Sequence, residues 1–289
     1  MQESEIQAII SLLDDEDKEV VEHIEKKIIS LGDIMIPFLE REWETNFNPI
    51  AQKRIEELIH ILQLKSLKEK LINWKNNEQN DLLKGMYLVA TYQYPDLDIR
   101  KLKKELDKIY YEAWLKHRTY ASPIEQIRTL NHVLFNELGF TSNTQNFHAP
   151  SNSMLNVILE SRKSNPIGLS VVYILIAQRL MMPVYGVNFP NLFILTYKSS
   201  EVQFYINAFH RGMVFFKNDI DNYINQLNIK PLESFYQPCS NLDIIQRVLR
   251  NLIVSFEKLG ETHREEEVKQ LLDAISQEGD GFLNDSQSI

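Results

Sequence analysis

Apolar residues recur at intervals of three and four through the first part of the chain. Ile6, Ile9, Ile10 and Leu13 form one stripe and Val20, Ile24, Ile28 and Ile29 the next, a spacing that predicts successive amphipathic helices over residues 1–118. Polar punctuation separates them. The acidic run DDED at 14–17 supplies a cap, LGD at 31–33 closes a helix through Gly32, and NFNP at 46–49 opens the helix carrying Ile55, Leu58, Ile59 and Leu62. Pro95 ends a further helix, and Asp96 or Asp98 opens a long one. The segment SPIEQIRTLNHVLFNELGF at 122–140 starts with Ser122 as N-cap, Pro123 at the first helical position and Glu125 two residues on.

A polar loop, TSNTQNFHAPSN at 141–152, marks a change of period. Beyond it the pattern predicts a short helix at 152–161 and a helix at 166–181 that is apolar nearly all round, so that it belongs inside the domain. Then PVYGVNF (183–189), LFILTYK (192–198), VQFYINAF (202–209) and RGMVFF (211–216) read as β-branched and aromatic strands with short connections, hence an antiparallel meander. FKNDIDNYINQLN returns to helix, 241–276 holds two more, and the closing GDGFLNDSQSI is expected to fray. The fold class expected is α+β: a helical array over 1–118, a mixed core over 119–238 and C-terminal helices over 239–289.

Charge and cysteine content narrow the function. A formal charge of −9 and a pI near 5.4 argue against general affinity for nucleic acid or an anionic membrane, which need a basic surface. One cysteine, Cys239, can form neither an internal disulfide nor a thiolate metal cluster, which suits a reducing compartment. The opening MQESEIQAII is acidic where a signal peptide is basic, and every apolar run falls short of ~18 residues. A cytoplasmic location is expected. His23, His60, His117, His132 and His263 are scattered without metal-ligand spacing, so no metal and no other cofactor is expected.

Asn165, Pro166 and Gly168 open the buried helix as an N-cap, a first-turn proline and a residue that permits close approach. A buried helix whose N-terminus faces a polar loop can stabilise a thiolate or an oxyanion. The run SNSMLNVILESRKSNPIGLSVVYILIAQRLMMPVYGVNFP, followed by FYINAFHRG at 204–212, resembles the transglutaminase-like domain of bacterial Sir-type regulators and some F-box proteins, over residues 80 to 260. LLDDEDKEVVEHIEKKIISLGDIMIPFLE at 12–40 resembles a HEAT-type repeat, a helix pair that stacks on neighbours to bury its faces. The first resemblance implies a papain-like α+β domain, in which active members carry a Cys at the start of the central helix, a His on the following strand and an Asp on the next. Those places fall here on Pro166 or its neighbours Ile167 and Gly168, on Leu192 and on Asn207. Without nucleophile and base, Cys-His-Asp catalysis is excluded on chemical grounds.

The leading expectation is therefore a non-catalytic regulatory or protein-interaction module with a protein partner and an unassigned oligomeric state. A rival is an amidase or peptidase-like acyl-transfer enzyme with an unusual centre, Ser170 as nucleophile near Asn207 and His148 or His210 as base. The plainer expectation for Ser170 is an inward hydroxyl bonded to a preceding carbonyl, and for the two histidines solvent-satisfied loop positions. A third reading is a ligand cleft at the start of the 166–181 helix, lined by Asn152, Ser153, Asn156, Asn165 and Gly168, where N–H groups could hold a carboxylate. The plainer role of Asn152, Ser153 and Asn156 is to cap the short helix and tie the loop to the sheet. Trp43, Trp74 and Trp114 are expected to be packing anchors between helices.

Overall fold

The computed structural model describes residues 3–15, 17–190 and 192–276; the segment 279–289, expected to fray, lies outside them. The chain forms two compact units that meet in sequence between Lys70 and Leu71, well before the boundary drawn at 118 from the sequence. In the first unit, α1 (Glu3–Ser11), α2 (Lys18–Leu31), α3 (Ile36–Thr45) and the first part of α4 (Pro49–Asn77) enclose Ile10, Leu13, Ile28, Met35, Leu39 and Ile55. Caps start the helices where the polar punctuation stands: Asp17 accepts from the Glu19 N–H at 2.9 Å and Asn48 from the Ile50 N–H at 3.0 Å. Gly32 closes α2 with φ +81°. Trp43 is not a buried anchor. It is half-exposed on α3, and its Nε1 donates to Glu56 at 2.9 Å.

The second unit runs from residue 71. Its helices are α5 (Leu82–Thr91), α6 (Ile99–Lys116), α7 (Pro123–Asn131), α8 (Leu155–Ser161), α9 (Pro166–Arg179), α10 (Lys217–Gln226), α11 (Asn241–Leu259) and α12 (Thr262–Ile275). A four-stranded antiparallel sheet, in the order β3 (Val184–Phe189), β4 (Leu192–Lys198), β5 (Gln203–Asn207) and β6 (Met213–Phe215), is the expected meander. A parallel pair of two-residue strands, β1 (Thr141–Ser142) and β2 (Lys163–Ser164), joins the polar loop to the segment before α9. The architecture is α+β with α9 at its centre. Ile167 through Ala177 are all buried, against β3 and β4 on one side and α6, α8 and α11 on the others, and each such aliphatic side chain contributes ~1.5–3 kcal/mol.

Packing moves several expected boundaries. Helices α5 and α6, grouped by sequence with the N-terminal array, pack within the sheet's unit, α5 on α11 and α6 on α9. The helix expected at 152–161 is divided into a short 3₁₀ turn, Pro150–Ser153, and α8, because Met154 between them is extended at φ −98° and ψ 106°. Helix α7 continues as a π-helical stretch, His132–Glu137, with the Leu138 N–H reaching the Val133 carbonyl at 2.9 Å. Strand β6 starts only at Met213, since Arg211 and Gly212 before it hold left-handed backbone, φ 55° and 75°. Trp74 is fully buried as expected, its Nε1 donating to the Asp81 carbonyl at 2.9 Å, whereas Trp114 is exposed on α6.

Candidate functional site

The first turn of α9 is covered by the chain itself. Asn165 caps it, its Oδ1 accepting from the Gly168 N–H at 3.0 Å. Ser164 Oγ donates to the Asn152 carbonyl at 2.8 Å, and a methyl group at Gly168 would stand 2.0 Å from that Oγ and 2.7 Å from that carbonyl. Gly168 does permit close approach, and what approaches is Ser164 and the backbone of Asn152. The Asn152 amide in turn donates to the carbonyls of Asn146 (2.8 Å) and Phe147 (2.9 Å) and accepts from Asn143 at 3.0 Å. The Asn152 side chain ties the 143–147 loop to its own 3₁₀ turn, where a tie to the sheet was expected, and it caps nothing: Met154 holds the N-cap position of α8 without a side-chain hydrogen bond. Ser153 and Asn156 do not cap it either, and Ser153 Oγ and Asn156 Oδ1 are buried with no hydrogen-bond partner. Asn152, Ser153, Asn165 and Gly168 are all buried.

Ser170 is 0% exposed, and its Oγ has no hydrogen-bond partner. The inward orientation agrees with expectation and the bond to a preceding carbonyl does not form. The two candidate bases lie on an exposed aromatic surface. The rings of His148 and Phe147 meet edge-on at 5.0 Å, Phe147 and Phe209 at 5.9 Å, and Phe209 and His210 at 5.7 Å. Lys258 Nζ lies 2.8 Å from His148 Nε2, so the ammonium donates to the ring's lone pair. Burial, with the lysine charge added, lowers the His148 pKa and keeps the ring neutral near pH 7. The fold brings His148 and His210 to one surface and leaves the Ser170 hydroxyl out of hydrogen-bond reach of either.

Leu192 opens β4 opposite Phe189 and packs with Val187 and Ile194. Asn207 ends β5, and its Oδ1 accepts from the His210 N–H at 3.2 Å, closing the turn into β6. Both side chains have local structural work. The residue that ties this region together is one the sequence pattern did not single out. Asn131, at the end of α7, donates from Nδ2 to the Gly212 carbonyl at 2.7 Å and accepts at Oδ1 from the Tyr173 hydroxyl at 2.9 Å.

Cys239 lies beside β3, its N–H donating to the Gly186 carbonyl at 2.8 Å. Burial, helped by the Asp243 charge, pushes its thiol from 9.0 up to about 12. At pH 8 the thiolate population, and with it the rate of alkylation by iodoacetamide, is expected to be about a thousandfold below that of an unperturbed thiol. The same shift makes the fold lose stability from about pH 9 toward 12, because the unfolded chain releases this proton first. Full reactivity in urea and slow reaction without it would check the first, and a urea midpoint that falls between pH 9 and pH 11 the second.

A sequence model described as the transglutaminase-like superfamily matches residues 100–250, the span that holds α6, α9, the sheet and most of α11. The chain belongs to this superfamily. A UPF0162 protein of Xylella fastidiosa is 28% identical over 185 residues, 61% of this chain and 65% of that protein. Protein SirB1 of Salmonella typhimurium is 24% identical over 176 residues, 59% of this chain and 65% of its own length. F-box only protein 21 of Mus musculus is 26% identical over 132 residues, 43% of this chain and 21% of that protein. The chain therefore spans just under two thirds of these bacterial relatives. No solved structure matches it. No helix among the described residues is long and apolar enough to cross a membrane.

Proposed function

We propose that this protein is a non-catalytic protein-interaction module built on a transglutaminase-like domain and acting in the cytoplasm. The observation that carries the reading is the state of Ser170, the one side-chain nucleophile in the first two turns of α9: buried, without a hydrogen-bond partner, and so without a base. Acyl transfer needs a base within ~3.2 Å of the attacking hydroxyl, directly or through one water. The places of the family's Cys, His and Asp support the same reading, since Pro166, Leu192 and Asn207 neither attack nor exchange a proton near pH 7.

The test offers casein with dansylcadaverine, and p-nitrophenyl acetate, to the wild-type chain and to Ser170→Ala. Neither chain is expected to exceed the buffer rate. Ser170→Ala is also expected to be more stable by about 1 kcal/mol in urea unfolding, because it removes a buried polar atom that satisfies nothing. Turnover by the wild-type chain that disappears in Ser170→Ala would establish the rival acyl-transfer reading instead.

A further inference from the structure

Ser170 has no base, yet one of the two candidate bases has a nucleophile. Lys258, in the last turn of α11, places its Nζ 2.8 Å from His148 Nε2, inside the ~2.6–3.2 Å at which a base takes a proton from an attacking group. The partner sets this lysine apart. Lys108, Lys217 and Lys269 lie on the carboxylates of Glu105, Asp221 and Glu265, whose negative charge holds the ammonium proton in place. A neutral imidazole brings no such charge. It offers a lone pair that accepts a hydrogen bond from the ammonium and, once the lysine has lost a proton, from the amine.

The surroundings keep the base available and the amine within reach of a reagent. Lys258 and His148 are both exposed. The imidazole is faced by the Lys258 ammonium from α11 and by the Phe147 ring from its own loop, edge-on at 5.0 Å. The rest of that loop, TSNTQNFHAPSN at 141–152, has no titratable side chain, and its ring stays unprotonated near pH 7. An amine that donates one N–H to Nε2 turns its lone pair away from the imidazole. There an acyl carbon can meet it in line for attack.

We propose that Lys258 is a site of acylation by activated acyl compounds, thioesters or acyl phosphates, with His148 as its general base. The Lys258 amine attacks the acyl carbon and a C–N bond forms. The surplus proton on nitrogen passes to His148 Nε2, the bond from carbon to sulfur or to phosphate oxygen breaks, and the imidazolium returns the proton to the departing thiolate or phosphate. The product is a stable amide. Each chain therefore takes one acyl group and releases one leaving group without turnover, so the inference goes beyond the interaction-module reading and does not depend on it. Acylation also removes a cation from beside the exposed Phe147 ring, leaving that surface less charged.

The test incubates the full chain at pH 8 with S-acetyl-N-acetylcysteamine, a neutral thioester, and separately with acetyl phosphate, while peptide mass spectrometry follows acetylation lysine by lysine. Lys258 is expected to react at least about tenfold faster than Lys103 and Lys104, exposed lysines of α6. His148→Gln is expected to remove that advantage and to leave Lys103 and Lys104 unchanged. Glutamine accepts a hydrogen bond from the amine but takes no proton, so this variant separates a base from a positioning contact. In His148→Ala, added imidazole is expected to restore part of the Lys258 rate. Both variants alter an exposed position, and an unchanged thermal midpoint will confirm that they fold. Selective labelling of Lys258 by either donor supports the site, and the faster donor identifies the source; the thioester is expected to lead, because a chain of net charge −9 repels a phosphate dianion. A Lys258 that reacts no faster than Lys103 and Lys104, or equally fast in wild type and His148→Gln, would overturn the proposal. Ser170-dependent turnover would remove the non-catalytic reading and leave the Lys258 assignment standing.

Discussion

A Gly168→Ala chain is expected to unfold with about 3 kcal/mol less stability than the parent, read as a lower urea midpoint at unchanged slope. In an ordinary helix interior the same change stabilises by up to ~1 kcal/mol, so the sign itself is diagnostic. The added Cβ would meet Ser164 Oγ at 2.0 Å, the Asn152 carbonyl at 2.7 Å and Ile158 Cδ1 at 2.9 Å. Ser164 can turn away only by giving up its 2.8 Å bond to that carbonyl, and the carbonyl can retreat only by carrying the 143–147 loop with it. Overpacking costs ~1–3 kcal/mol and a buried group left unpaired ~1–3 kcal/mol more. Ser164→Ala in the same chain removes the shortest of the three contacts. The two changes should therefore couple, the alanine at 168 costing at least ~1 kcal/mol less in that background. A Gly168→Ala chain as stable as the parent would mean that the first turn of α9 stands open, and the ligand-cleft reading would gain what the closed turn now denies it.

That close approach shows what the sequence could and could not convey. A glycine after Asn165-Pro166 signals that something comes near the backbone, and both cap and glycine behave as read, but the approaching groups, Ser164 Oγ and the Asn152 carbonyl, come from four and sixteen positions earlier and are brought together only by the fold. Local chemistry was legible wherever a motif completes itself within one turn. Ser122 and Glu125 form a full capping box, with Ser122 N–H to Glu125 at 2.9 Å and the return bond at 3.4 Å. The strands of the meander were legible as β-branched and aromatic runs split by turn residues, although β4 and β5 are buried continuously along their middles and so show no alternation. Two-residue β1 and β2 carry no period at all, and their pairing is fixed by the loop that Asn152 anchors. Trp114 reads like a packing anchor because helical spacing says which side chains share a face, while the neighbour that covers a face is decided elsewhere in the chain. The grouping of α5 and α6 with the sheet escapes for the same reason: amphipathicity names the buried stripe of α6, and only the fold reveals that α9 lies against it.

Asn131→Ala is expected to cost about 3 kcal/mol, the second large effect, although this residue looks in the sequence like a spacer in a helix. Its amide is a two-ended pin. Nδ2 donates to the Gly212 carbonyl at 2.7 Å, and Oδ1 accepts from the hydroxyl of Tyr173, which is 0% exposed in the middle of α9. Alanine strands a buried hydroxyl and a carbonyl together, each worth ~1–3 kcal/mol when unpaired. Gly212 adds a backbone reason for the pin's position. Its φ of +75° suits glycine, and a Cβ there would fall 2.0 Å from Asn131 Oδ1, so the turn between β5 and β6 has been shaped around the amide. Tyr173→Phe should cost less than Asn131→Ala, because it strands one atom, Oδ1, and the double variant should fall short of the sum. Asn131→Asp separates hydrogen bonding from size. One carboxylate oxygen would face the Gly212 carbonyl where an N–H stood, so burial and that repulsion hold the folded carboxyl's proton above its usual range. The unfolded chain loses the proton near pH 4, so the penalty is small below that value and grows as the pH rises. Unfolding of Asn131→Asp at pH 4 and pH 8, each against the parent, reads this directly. A deficit that does not change with pH would show that the side chain at 131 meets water, and that the turn carrying Asn207 and His210 is held by something other than this amide.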